Sequence, residues 1–139
     1  MPSIRYQRLA SELLPLANKF YKSQRSPMRV GRSEQVWVAQ QAEIIAACCL
    51  KPVADGHWLT ALLVAREQRQ QGIASQLLNA LRAHSQGPIW LFYAPELLSF
   101  YQRLGFAPCP ALPAELTERL RRYQRKQPLL AVAAAQQCG

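Results

Sequence analysis

The chain changes texture abruptly at Ala65. Ahead of it, His57 to Val64 is an almost unbroken apolar run of strand length. Behind it come Arg66-Glu67-Gln68-Arg69-Gln70-Gln71 and then Gly72, followed by Ile73, Ala74, Leu77, Leu78 and Leu81 recurring at helical spacing, with Ser75, Gln76, Asn79 and Arg82 off the stripe. A strand-loop-helix unit is the only economical reading, and the continuous apolar strand suits the centre of a sheet covered on both faces. The start of a helix leaves several backbone N–H groups unpaired, and Ser, Thr, Asp or Asn usually caps them. Arg66 to Gln71 offers no such residue. Gly72 lets the chain turn tightly and lets a ligand come close to the backbone. Open amides, the positive end of the helix dipole, and Arg66 and Arg69 nearby together favour a bound anion, and a pyrophosphate would fit. A solvated loop with Gly72 as a plain N-cap accounts for the same local residues equally well. The segment has neither the Lys and hydroxyl of a nucleotide-triphosphate loop nor the G-x-G-x-x-G spacing of a dinucleotide site.

The rest of the chain supplies the partners for this unit. Ile4-Arg5-Tyr6 reads as a short opening strand. Ser11 is placed as the N-cap of a helix whose stripe is Leu13, Leu16, Ala17 and Phe20, and Ser23 to Gly31 reads as a loop. Glu34 to Ala39 alternates as a strand, Gln41 to Leu50 pairs with it, and Asp55-Gly56 turns the chain into His57–Val64. After the Leu-rich helix, Ile89 to Tyr93 is a further strand. Pro95 and Glu96 open a helix with Leu97, Leu98, Tyr101 and Leu104 in register, and Gly105 sits at its C-cap. A connection marked by Pro108, Pro110 and Pro113 leads to a basic helix, Ala114 to Arg125, and a final strand at Leu129 to Ala133, which could pair within the chain or across a dimer. The order β-α-β-β-β-α-β-α-(α)-β indicates one α/β domain over residues 1–139 with a mixed sheet.

Composition narrows the class. A chain of 139 residues that is 50% hydrophobic and 18% charged has room for one core and does not read as disordered. No apolar stretch is long enough to span a bilayer, and Met1-Pro2-Ser3-Ile4-Arg5 carries no signal peptide pattern, so a soluble cytoplasmic protein is expected. Cys48, Cys49, Cys109 and Cys138 form no C-x-x-C pair, and His57 and His84 stand alone, so no metal site is expected. Adjacent Cys48 and Cys49 point to opposite faces of a strand, at least one as a small core residue. The net charge of +9 suits a polyanion, an acidic protein or a phosphate-rich cofactor without choosing among them.

Two segments together resemble a known family. Leu62-Leu63-Val64 followed by Arg69-Gln70-Gln71-Gly72-Ile73-Ala74 and the Leu-rich helix resembles the acetyl-CoA motif of the GNAT superfamily of N-acetyltransferases, [RQ]-x-x-G-x-[GA] after a strand. Phe100-Tyr101-Gln102-Arg103-Leu104-Gly105-Phe106 resembles the second signature, a helix bearing Tyr and ending in a Leu-Gly-Phe turn. The resemblance is good from Glu34 to Phe106 and elsewhere rests on the order of elements. It implies a single-domain GNAT-like fold, with a mixed central β-sheet whose central strands splay, flanked by helices. It further implies that Leu62 and Val64 offer backbone hydrogen bonds to the pantetheine arm of acetyl-CoA, and that amides from Gln70 through Ser75 hold the pyrophosphate. An N–H on the Leu62-Leu63-Val64 edge polarises the thioester carbonyl. A neutral amine attacks, the thiolate leaves, and Tyr101 is the acid that protonates it; a phenol titrating near ~10 keeps its proton at neutral pH. On helical spacing alone Tyr101 would be a core residue with its hydroxyl at a rim. Many members place an Asn where this chain has Ala94.

The base and the acceptor are less legible. Glu34 and Glu43 on the preceding hairpin, His57 at the start of the central strand, or a water are the alternatives for the base, whereas Glu67 and Glu96 read as helix-start or loop charges. The acceptor, a small molecule or a protein amine, enters such folds near the first helix. There Lys19, Lys22, Arg25, Arg29 and Arg32 would suit an acidic or phosphorylated partner, or are simply solvated. Arg119, Arg121, Arg122, Arg125 and Lys126 form a second basic cluster that a helix C-terminus explains. The competing readings are an acetyl-CoA-sensing regulatory module without turnover and, from charge alone, a nucleic-acid-binding domain, for which no recognised motif is present.

Overall fold

A computed structural model describes residues 3–31, 34–108 and 111–134. The chain gathers into two compact units, one from the described residues of Met1–Lys51 and Leu59–His84, the other from those of Pro52–Trp58 and Ser85–Gly139.

The first unit contains β1 (Arg5–Arg8), α1 (Leu14–Ser23), β2 (Gln35–Gln40), most of β3 (Ile44–Val53), β4 (Gly56–Val64) from Leu59 onward, and α2 (Ile73–His84). Its strands lie in the order β1-β2-β3-β4. β1 is antiparallel to β2, with Tyr6 opposite Ala39; β2 is antiparallel to β3, with Val36 opposite Cys49 and a bulge at Ala39/Gln40. Because side chains alternate across a strand, Val36, Val38 and Cys49 share one face, and α1 covers it with Ala17, Phe20 and Tyr21. Trp37 faces the other way and meets His84 of α2, ring centroids 5.7 Å apart. α2 buries the stripe read from the sequence: Leu77, Leu78 and Leu81 have no exposed surface, and each such side chain contributes about 1.5–3 kcal/mol.

Two expectations are corrected here. Ser11 is not the N-cap of α1. The chain enters through a single 3-10 turn, Ser11–Leu13, capped at Ala10 without a side-chain bond, and the Ser11 hydroxyl donates instead to the Glu12 carboxylate at 3.3 Å. Nor is β4 covered throughout. From Thr60 to Val64 it is half-exposed, while Ile45 to Leu50 of β3 is the strand buried on both faces. An apolar strand end left open in this way is the first structural hint of a ligand surface.

In the second unit are β5 (Ile89–Tyr93), α3 (Leu98–Arg103), a two-residue β6 (Ala107–Pro108), α4 (Ala114–Gln124) and β7 (Leu130–Ala134), with strands in the order β5-β7-β6. The last strand pairs within the chain, Leu91 opposite Val132 on one side and Pro108 opposite Val132 on the other, both antiparallel. Val53, Trp58, Trp90 and Leu116 form its core, and the Arg119 guanidinium stacks 4.8 Å from the Trp58 ring, so one member of the second basic cluster is held by an aromatic face. The turn before β4 uses Ala54 and Asp55, with Ala54 at φ 50°, and Gly56 already belongs to the strand. Gly56 and Gly87 face closely packed backbone: a Cβ on the first would collide with the Pro88 carbonyl, one on the second with the Asp55 carbonyl. The His57 N–H donates to that Pro88 carbonyl at 2.9 Å.

Among the described residues no helix is long and apolar enough to cross a membrane, and no three His, Cys, Asp or Glu side chains gather to hold a metal. Cys109, Cys138 and Arg32 lie outside the described residues.

Candidate active site

The strand end and the loop after it are tied together by side chains. The Arg69 Nε donates to the Val64 carbonyl at 3.1 Å, so the loop folds back on the strand that feeds it. The Arg66 N–H donates to the Gln24 side chain at 3.1 Å, fastening the same loop to the end of α1, and the Ala65 N–H donates to the Ile45 carbonyl at 2.8 Å. Between these anchors and the helix the backbone turns through two left-handed residues, Gln70 at φ 65° and Gly72 at φ 76°. A Cβ at Gly72 would meet nothing within 4 Å, so the glycine serves the turn and the approach to the backbone, not packing.

Around this turn the amides are open. The Gln76 N–H donates to the Gly72 carbonyl at 3.0 Å, beginning the ladder of α2. Among the described residues the N–H groups from Gln70 to Ser75 find no acceptor. Gln70, Gln71 and Gly72 are exposed, Ala74 and Ser75 half-buried, and Ile73 is the residue that plugs the turn into the core at 2% exposure. Gly72, whose carbonyl accepts the first bond of α2, stands at the N-cap position and brings no side-chain oxygen to these amides, which lie at the positive end of the α2 dipole. Leu62, Leu63 and Val64 lead into it half-exposed.

A second feature of β4 was not legible beforehand. Ala61 sits at φ 58°, a left-handed residue in mid-strand, and its carbonyl accepts a 2.7 Å hydrogen bond from the hydroxyl of Tyr21 on α1. The same hydroxyl lies 3.8 Å from Cys49 Sγ. Burial holds Tyr21 and Cys48 well above their ordinary titration ranges; burial and then the Glu34 carboxylate push Cys49 up to about 12. Neither thiol is a nucleophile near neutral pH, and both cysteines are core residues with no exposed surface. A buried Tyr hydroxyl needs an acceptor, and that was the one signal in the sequence that could have drawn attention to Tyr21.

The remaining candidates lie on other elements. Glu34 is half-buried, accepts from the Gly31 N–H at 3.1 Å, and lines a depression of about 370 Å³ with Arg8, Leu9, Ser11 and Glu12. Glu43 is exposed on the β2–β3 turn beside a depression of about 350 Å³ with Lys19, Phe20 and Gln40. His57 belongs to the second unit; burial lowers its pKa, and its Nδ1 is enclosed without a hydrogen-bond partner. Tyr101 also belongs to the second unit, on α3, 8% exposed, with its ring against Tyr93 at 5.9 Å, Phe100 at 5.0 Å and Phe106 at 5.9 Å. α3 ends as the motif requires, with Gly105 at φ 92°. Ala94 precedes a 3-10 turn, Pro95–Leu97, that has no side-chain cap, and Glu96 stands in that first turn as Glu67 stands in the turn Arg66–Gln68.

Comparison with known proteins gives the chain its family. Residues 32–108 match the family model described as an acetyltransferase (GNAT) domain, which is more than half the chain: this protein belongs to the GNAT acetyltransferase family and is an acyltransferase of that kind. Among solved structures it is similar to Tetrahymena GCN5, at 13% identity with 96% of each chain covered and a TM-score of 0.70. It is also similar to the ribosomal-protein-S18-alanine N-acetyltransferase from Escherichia coli, at 15% identity over 99% of this chain and 96% of that one, TM-score 0.66. A third is N-acetylglutamate synthase from Neisseria gonorrhoeae, complexed with coenzyme A and N-acetyl-glutamate, at 15% identity over 99% of this chain and 36% of that one, TM-score 0.65. At these identities the likeness establishes the mixed-sheet α/β fold. No curated protein matches the sequence significantly.

Proposed function

We propose that the chain transfers an acetyl group from acetyl-CoA to a primary amine, and that the coenzyme is held at the junction of β4 and α2. The observation that carries this reading is the run of amides from Gln70 to Ser75 without acceptors, around an open Gly72 and beside Arg69. Those amides and the helix dipole suit the pyrophosphate. The half-exposed residues Leu62, Leu63 and Val64 suit the pantetheine arm and the thioester carbonyl, where an N–H would stabilise the oxyanion as the amine attacks. Ile73 and Ala74 shape the turn that presents the amides. Tyr101 is assigned as the acid for the departing thiolate on the strength of its motif.

The acceptor is a small molecule or a protein amine. The exposed Lys19, Lys22 and Arg29 near α1 would favour one carrying negative charge. Glu34 is the best of the base candidates, since it lines a depression and is half-buried, whereas Glu43, which also lines a depression, is exposed, and the enclosed Nδ1 of His57 faces no solvent. A cytoplasmic setting, where acetyl-CoA is available, goes with this reading.

The test is calorimetric titration with acetyl-CoA, followed by an amine and peptide screen scored by release of free CoA. Binding with turnover on at least one amine is the expected result. Absence of binding at physiological acetyl-CoA concentrations would overturn the coenzyme site, and binding without turnover would move the chain to a sensing module.

A further inference from the structure

The left-handed residue in β4 has a cause on another element. An L-residue at φ 58° in the middle of a strand is disfavoured unless its surroundings impose it. Ala61 has no side chain able to bond its own backbone, as Asn or Asp would. What holds its carbonyl is the Tyr21 hydroxyl at 2.7 Å, and Tyr21 itself is immovable: its ring has no exposed surface and is packed with Phe20, Val36, Val38 and Cys49. Ala61 is partly buried against that same cluster, as is Leu63 two residues on.

We propose that Tyr21 is a positioning residue for acetyl transfer: by fixing the Ala61 carbonyl it sets the rotation of the peptide plane that follows, and so the aim of the Leu62 amide at the thioester carbonyl. This rests on the reading of the β4 end as the thioester site. A peptide plane is rigid, so a carbonyl held at one residue fixes the N–H of the next. If Ala61 relaxes to extended backbone, the Leu62 amide swings off line while the pyrophosphate turn, anchored separately by Arg69 on Val64 and Arg66 on Gln24, stays in place. Tyr21 touches neither substrate in this scheme and does not exchange its proton.

The consequence separates acetyl-CoA from CoA. Both present the pyrophosphate, but only acetyl-CoA presents the carbonyl that the aimed amide recognises. In Tyr21→Phe, CoA affinity should stay within about twofold of the wild type while the preference for acetyl-CoA over CoA falls by roughly fivefold to tenfold, the scale of one lost hydrogen bond. The ¹³C resonance of carbonyl-labelled acetyl-CoA, shifted on binding to the wild type by the polarising N–H, should return more than halfway to its free value. Ala61→Val, whose β-branched side chain resists a positive φ, must give the same two changes without touching the hydroxyl, and it serves if Tyr21→Phe does not fold. Val38→Ala, in the same core cluster, controls for lost stability and should change neither readout. A wild-type preference and a wild-type resonance retained in both Tyr21→Phe and Ala61→Val would overturn the assignment of Tyr21. Failure of the wild-type chain to bind CoA at all would overturn the coenzyme site, a separable result.

Discussion

Arg69 reaches back five residues to the carbonyl of Val64, 3.1 Å from its Nε, and so ties its guanidinium to the end of β4, directly ahead of the turn whose amides find no acceptor among the described residues. The bond shapes the turn, and the charge would draw an anion to it. Arg69→Ala removes both and should weaken CoA roughly tenfold in calorimetry at low salt, with the gap from wild type narrowing as salt rises. Arg69→Lys keeps the charge without the planar donor and should recover only part of the loss. Wild-type affinity in Arg69→Ala would remove the residue from the site.

Gly72 offers a way to tell backbone strain from ligand blockage. In the free chain a methyl group there meets nothing, so Gly72→Ala suffers only the strain of its φ of 76°, about 1 kcal/mol in a urea titration. That methyl would nevertheless stand in the space through which a pyrophosphate approaches the amides. CoA affinity should therefore fall by roughly tenfold or more, beyond what the stability change accounts for. Equal, small effects on both would mean that the turn binds nothing.

Tyr101→Phe keeps the ring among Tyr93, Phe100 and Phe106 and removes only the hydroxyl. If that hydroxyl delivers the proton to the leaving thiolate, turnover on any accepted amine should drop about 100-fold while CoA affinity stays within about twofold. Loss of both together would mark Tyr101 as a packing residue.

His57 should leave a mark on acid stability. Burial favours its neutral form in the folded chain, while the unfolded chain takes up a proton near ~6.5. The stability contributed by His57 is thus complete above about pH 6.5 and declines as pH falls toward the lowered folded value, where the slope ends. Urea midpoints at about pH 7.5 and 5.5 should differ less in His57→Gln than in the wild type. An unchanged difference would show that the imidazole is not shielded.

How far the sequence reached depended on the range of the interaction. The strand, the uncapped loop and α2 were legible because the period of apolar residues switches at a glycine, and each side of that switch is a local property. The placement of Tyr101 on α3 and of Gly105 just past its end was legible for the same reason, as near neighbours in one short segment. Ser11 was misassigned because a 3-10 turn intervenes before α1, a distinction of hydrogen-bond pattern that the same residues permit either way. The exposure of Thr60 to Val64 was misjudged because an apolar run reports what a strand tolerates next to it, not whether protein or ligand supplies it. Least legible was the bond from Tyr21 to Ala61, across 40 positions, which gives alanine a conformation that no local signal announces. The acceptor is hidden for a related reason: charge near α1 describes a surface, and recognition needs the shape of what it meets.

The pair Gly56 and Gly87 bears on how any mutational map of this protein should be read. Each lies against a carbonyl of the other's neighbourhood, Pro88 for the first and Asp55 for the second, so that even alanine forces the backbone apart. A saturation scan scored by acetylation would therefore show both positions as intolerant as the turn proposed to hold the coenzyme, though neither has any chemistry to offer. Scoring the same library for folded protein would separate the two kinds of intolerance: Gly56 and Gly87 would fail in both screens, whereas residues of the turn, if they hold the coenzyme, would fail only in the one that needs it.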